Sequence, residues 1–78
     1  MQVDVTVQDI AAGVAGSVDS CPVALAAGRC GLGPVRVGSF GLRVGRGTWF
    51  RLPRTVTEFI YAFDDGRPVV PFSFEAEL

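Results

Sequence analysis

The order of apolar and polar residues along this 78-residue chain predicts an α+β fold: a small, mostly antiparallel sheet of four to five short strands packed against two or three short helices, in the order β-α-α-β-β-(β)-α-β. Three observations lead there. Val3, Val5 and Val7 near the start, and Phe72, Phe74 and Ala76 near the end, alternate with polar residues, the period of a strand with one buried face. Val56, Phe59, Ile60 and Phe63 recur at i, i+3, i+4 and i+7, the period of a helix with one apolar stripe. Between these two regions, residues 33–52 mix Val, Leu and Trp with Arg and many glycines, the pattern of short strands joined by tight turns.

Taken in order, residues 2–7 are predicted as the first strand. Thr6, followed three residues later by Asp9, has the spacing of a loose helix cap, and a short helix over Val7–Val14 is expected to end at Gly13 and Gly16. Asp19 or Ser20 is the expected cap of the next helix, which has Pro22 in its first turn and Val23-Ala24-Leu25-Ala26-Ala27 before Gly28. Being short and almost wholly apolar, it should be buried. Val35/Val37, Leu42/Val44 and Trp49 read as two or three strands, with turns at Gly38-Ser39 and Gly45-Arg46-Gly47. The longest helix should open at Thr55, where Thr55-Val56-Thr57-Glu58 has capping-box spacing, and stop at Gly66. The last strand carries Pro71, which cannot donate to a ladder, and so belongs at an edge. In the expected core Phe59, Ile60 and Phe63 meet Phe72 and Phe74, with Val3, Val5 and Leu25 around them. Phe63→Ala should then unfold the protein.

Length and composition bound the function. Residues 1–78 are one domain's worth. At 49% hydrophobic and 19% charged the chain should fold, yet the gain from burial and the cost of ordering nearly cancel at this size, so a protein partner or a second copy is expected. No uncharged stretch approaches the length needed to cross a bilayer, and the N-terminal residues lack the basic and apolar regions of a secretory signal, which makes the cytoplasm the expected compartment and a membrane role unexpected. There is no histidine, and two cysteines at this spacing make neither a disulfide framework nor a zinc site. No cofactor, metal site or catalytic residue is expected, and the chain reads as not an enzyme.

Three local features carry a chemical alternative. Cys21 at a helix N-terminus is a recognised setting for a reactive thiolate, but no His or Lys exists to act as base, so a buried structural role is the stronger reading. A Cys21–Cys30 bond is not expected, because a helix between the two would hold them too far apart. Asp64-Asp65 with Glu58 offers carboxylates for a cation, although paired Asp residues at a helix end more often mark a turn. The glycines between 28 and 47 match no phosphate-binding fingerprint.

Charge segregation gives the main functional lead. Net charge is −1, but residues 1–28 carry −3, residues 29–54 carry +6 with no acid, and residues 55–78 carry −4. All seven basic residues are Arg. Alternation in the predicted strands should put Arg36, Arg43 and Arg51 on an exposed face beside Phe40, Trp49 and Phe50, and Arg46 and Arg54 complete the candidate binding set Arg36, Arg43, Arg46, Trp49, Arg51 and Arg54. Arg and Trp are enriched where proteins bind proteins, which ranks a non-enzymatic protein-interaction module first. The same face is able to grip phosphates and stack bases, so nucleic-acid binding is the alternative, weakened by the net negative charge. A bland surface, each Arg paired with an acid of the terminal segments, is the third reading.

Ser20-Cys21-Pro22-Val23-Ala24-Leu25-Ala26, followed by Leu52-Pro53, Phe59-Ile60, Phe63-Asp64, Gly66, Val69 and Pro71-Phe72-Ser73-Phe74, resembles a family of small, uncharacterised proteins of bacteriophages and bacteria over nearly the whole chain. The resemblance implies a phage or prophage accessory protein and supplies no catalytic residues.

Overall fold

The computed structural model describes residues 1–38 and 41–77, and over these the chain forms three α-helices and five strands. The expected α+β class is found. Its five strands divide between two antiparallel sheets. The first pairs β1 (Gln2–Val5) with β5 (Phe72–Glu75), Val3 facing Phe74 and Val5 facing Phe72. The second is a meander of β2 (Val35–Val37), β3 (Gly41–Val44) and β4 (Trp49–Arg51).

β1 stops at Val5, earlier than the alternation suggests, because Thr6 leaves the strand to cap α1 (Val7–Ala12). The Thr6 hydroxyl accepts from the Asp9 N–H at 3.2 Å, and the Asp9 carboxylate accepts from the Thr6 N–H at 2.9 Å, a complete capping box. Val7 therefore belongs to the helix and is 62% exposed. α2 (Pro22–Ala27) is capped by neither Asp19 nor Ser20. Those residues close the preceding turn, where the Ser17 hydroxyl donates to Asp19 at 2.9 Å and accepts the Ser20 N–H at 3.1 Å. The cap is Cys21, whose sulfur accepts from the Ala24 N–H at 3.4 Å. Pro22, Val23, Ala24, Ala26 and Ala27 are buried, as expected of so apolar a helix, and α2 packs on α1, β1 and β2. A π-type turn over Gly28–Leu32 follows.

α3 (Arg54–Asp64) is capped two residues before the expected Thr55. Pro53 is the N-cap, its carbonyl accepting from the N–H groups of Val56 and Thr57 at 3.0 and 3.2 Å. Its fixed φ suits the entry to a helix, and Thr55 is left as an exposed first-turn residue. The stop at Gly66 is as expected: Gly66 has φ +75°, its N–H bonds the Phe63 carbonyl at 3.1 Å and the Arg67 N–H bonds that of Ala62 at 2.9 Å, a Schellman motif that needs a left-handed residue.

The core lies between the two sheets, built from Val3, Val5 and Phe74 on one side and Val35, Val37 and Leu42 on the other, with α2 and the Val56/Ile60 side of α3 filling the space. Phe59 and Phe72 flank it, ring centroids 4.7 Å apart. Phe63 is stacked on Phe59 at 6.3 Å and lies outside the core, and Leu25 is only half-buried, which corrects the expected core at both positions. The helical stripe spans two sides of α3, and the sheets dock on the side of Val56 rather than that of Phe63.

Candidate functional site

Register in the meander decides what its outer face carries. Val35 pairs with Val44 and Val37 with Leu42, and these side chains turn inward with Phe50, the partner of Leu42. The intervening positions turn outward: Arg36 lies directly opposite Arg43, Arg43 opposite Trp49, and Arg51 two residues beyond Trp49 opposite Gly41. Three guanidinium groups and one indole thus share a face. Phe50 does not, and the expected place of Phe40, like the Ser39 part of the predicted turn, lies outside the described residues.

Trp49, 49% exposed, lies across the backbone of the meander. A Cβ on Gly41 would stand 3.2 Å from the indole, so a glycine there is what lets the ring lie down. The Arg43 guanidinium stacks over that ring at 5.3 Å from its centroid, and its Nε is buried without a hydrogen-bond partner. Among the described residues Arg36, Arg43, Arg46 and Arg51 form no ion pair. Asp19 shares a groove with Arg36; the Ser17 and Ser20 hydroxyls both donate to its Oδ1, the main cause of its lowered pKa, and the Arg36 charge lowers it further. Two arginines directly opposite one another in a ladder repel, and among the described residues no carboxylate forms an ion pair with either.

The other two candidates lie elsewhere. Arg46 stands at the tip of the β3–β4 turn, where Gly47 N–H bonds the Val44 carbonyl at 3.0 Å. Arg54 opens α3 and pairs with Glu58 at 3.6 Å, one turn along the helix. The other two members of the predicted carboxylate cluster are engaged separately: Asp64 accepts from the Gly16 N–H at 2.9 Å, and Asp65 pairs with Arg67 at 3.3 Å. Among the described residues no group of three or more potential ligands gathers to hold a metal ion.

Arg29, the first residue of the basic block, has a structural role that spacing did not reveal. It reaches from the π-type turn to Asp9, which is 4% exposed, with both guanidinium Nη atoms on the carboxylate and Nη2 also donating to the Asp4 carbonyl at 3.0 Å. These bonds, with those from Thr6, hold the Asp9 carboxyl down to about 2. The sequence signal was present only in half, as the Thr6/Asp9 cap.

Cys21 is buried and lines a pocket of about 140 Å³ with Tyr61 and Asp64. Burial pushes its thiol pKa up, and the Asp64 charge pushes the same way, the opposite of what an activated nucleophile needs. Cys21 and Cys30 are both free thiols. Among the described residues no helix is long and apolar enough to cross a membrane. Comparison with protein-family models, with curated proteins and with solved structures finds no match to this chain.

Proposed function

We propose that the protein is a small, non-enzymatic interaction module whose outer meander face binds an acidic surface of another protein. The observation that carries this reading is the Arg36/Arg43 pair, two cations in direct cross-strand register that form no ion pair among the described residues, extended by Arg51 and the half-exposed Trp49. Such an arrangement costs stability when the face is empty, and a ligand carboxylate between the cations removes the cost. Arg and Trp together are also the side chains that most often dominate protein interfaces. A phage-derived accessory role fits this reading and rests on the sequence resemblance alone, and a cytoplasmic setting rests on the composition of the N-terminal residues.

The test is affinity capture from a bacterial lysate with the parent, Arg43→Ala, Arg51→Ala and Trp49→Ala, each checked by thermal melting. A partner retained by the parent and lost by folded variants is expected. Equal capture by all four proteins overturns the assignment of the face.

A nucleic-acid reading draws on the same indole, flanked by guanidinium groups on an open sheet, which is how sheet-based binders stack bases. Counterion release makes phosphate binding fall steeply with salt, so titration of labelled single-stranded DNA and RNA at two salt concentrations decides between the two. Under the protein-binding reading no complex forms even at low salt.

A further inference from the structure

The hydrogen-bond alternation of the meander identifies which backbone groups it leaves open. The Gly38 N–H bonds the Gly41 carbonyl at 2.8 Å and the Gly45 N–H bonds the Pro34 carbonyl at 2.7 Å, so β2 and β3 exchange hydrogen bonds at the pairs 34/45, 36/43 and 38/41. Leu42 and Val44 of β3 then bond toward β4, to Phe50 and Thr48. By the same alternation the N–H and C=O groups of Trp49 and Arg51 point off the free side of β4, and among the described residues no backbone or side-chain group bonds them.

The other outer edges are covered or guarded: on β1 the Asp4 carbonyl accepts from Arg29 at 3.0 Å. On β2, the Val37 N–H already donates to the Val18 carbonyl at 2.7 Å. On β5, Phe72, Phe74 and Ala76 are used by β1 and Met1, and the open positions bring Ser73 and Glu75, with Pro71 supplying no donor. The β4 edge is different in kind. The residues that offer its open hydrogen bonds, Trp49 and Arg51, are the ones whose side chains form the basic face. Like charge keeps two copies of this edge apart, while an acidic strand is attracted to it.

We propose that the free edge of β4 takes an extended acidic segment of a partner protein as an added antiparallel strand, with acidic side chains at alternate positions opposite Trp49 and Arg51. This rests on the protein-binding reading of the Arg/Trp face and adds how the partner docks. The strand's backbone would bond Trp49 and Arg51, its acids would meet Arg51 and the Arg43 guanidinium stacked on Trp49, and its intervening residues would turn to the Phe50 side. Past Arg51 the edge opens onto a cleft of about 250 Å³ lined by Leu52, Pro53, Glu75 and Glu77, so the acidic run of the occupant ends there.

The probe is an end-capped octapeptide of alternating Glu and Thr, titrated against the intact protein and followed by the fluorescence of Trp49, the sole tryptophan. Saturable binding is expected, with a Lys/Thr octapeptide inert and Arg51→Glu binding about tenfold more weakly. Because the acids occupy the hydrogen-bonded positions, N-methylation of the Glu residues should weaken binding by about tenfold, while N-methylation of the Thr residues should change it little. The Trp49 and Arg51 amides should gain protection from hydrogen exchange on binding.

Equal affinity of the two N-methylated peptides, or binding that leaves those amides unprotected, overturns the strand proposal and leaves the face reading standing. No response to any acidic peptide, with a response to single-stranded DNA, overturns both. The N-methyl comparison uses the parent protein, so it decides the matter even if Arg51→Glu does not fold.

Discussion

Arg29→Ala removes the cation that neutralises the most deeply buried carboxylate described in the fold. Asp9 is held from its ordinary 3.8 down to about 2, chiefly by Arg29 and then by Thr6. That gap corresponds to about 2 kcal/mol at neutral pH for Asp9 with all its partners together, an upper figure because solvent screens the half-exposed Arg29. A depressed acid pKa stabilises fully above 3.8, and its contribution shrinks as pH falls and is gone below about 2. Arg29→Ala is therefore expected to melt roughly 5–15 °C below the parent at pH 7, and the two proteins should converge as pH approaches 2. Urea or thermal melts followed by circular dichroism at pH 7, 4 and 2 test this. A deficit of the same size at all three pH values would show that Arg29 acts through packing of its stem and that the charge pairing contributes nothing.

The other expectations follow from packing. Val56→Ala deletes two methyl groups from a side chain that is 0% exposed, and loss of transfer energy plus the residual cavity should cost about 2–3 kcal/mol. Phe63→Ala, at the margin, should cost about 1 kcal/mol and leave the protein folded; a larger loss for Phe63→Ala than for Val56→Ala in parallel melts would refute the placement of the core. Gly41→Ala puts a Cβ 3.2 Å from the Trp49 ring and 3.3 Å from the Phe50 carbonyl oxygen, so the indole must lift. A loss of about 1 kcal/mol is expected, together with greater quenching of Trp49 by acrylamide, and unchanged quenching would mean that the ring does not rest on that backbone.

What was legible in the sequence is what short-range chemistry dictates. Thr6/Asp9, the Gly66 stop and the alternation of Phe72, Phe74 and Ala76 each depend on neighbours within a few residues. The outward placement of Arg36, Arg43 and Arg51 followed from the same period. What was not legible depends on docking. An apolar stripe of Val56, Phe59, Ile60 and Phe63 does not say which of its sides meets the sheets, so Phe63 was overvalued. Pro53 and Thr55 compete to open α3, and the outcome turns on where Leu52 and Val56 must be buried. The opposition of Arg36 and Arg43 comes from the register that the β2–β3 connection imposes, and the reach of Arg29 to Asp9 spans twenty positions across the fold.

The pairing of β1 with β5 joins positions 2–5 to positions 72–75, whereas every pairing in the meander is local. Closing a loop of that length costs about 2 kcal/mol more than closing a hairpin, since each doubling of loop length adds roughly 0.6 kcal/mol. The β1–β5 ladder is thus a clasp expected to shut late in folding, after the meander has formed. It is also a natural first place for the native molecule to open, and native-state hydrogen exchange should find the Val3 and Phe74 amides less protected than that of Leu42. Opening the clasp breaks no hydrogen bond of β2, β3 or β4. The face bearing Arg36, Arg43, Trp49 and Arg51 thus keeps its ladder through the excursions that the longest-range contact of the fold permits.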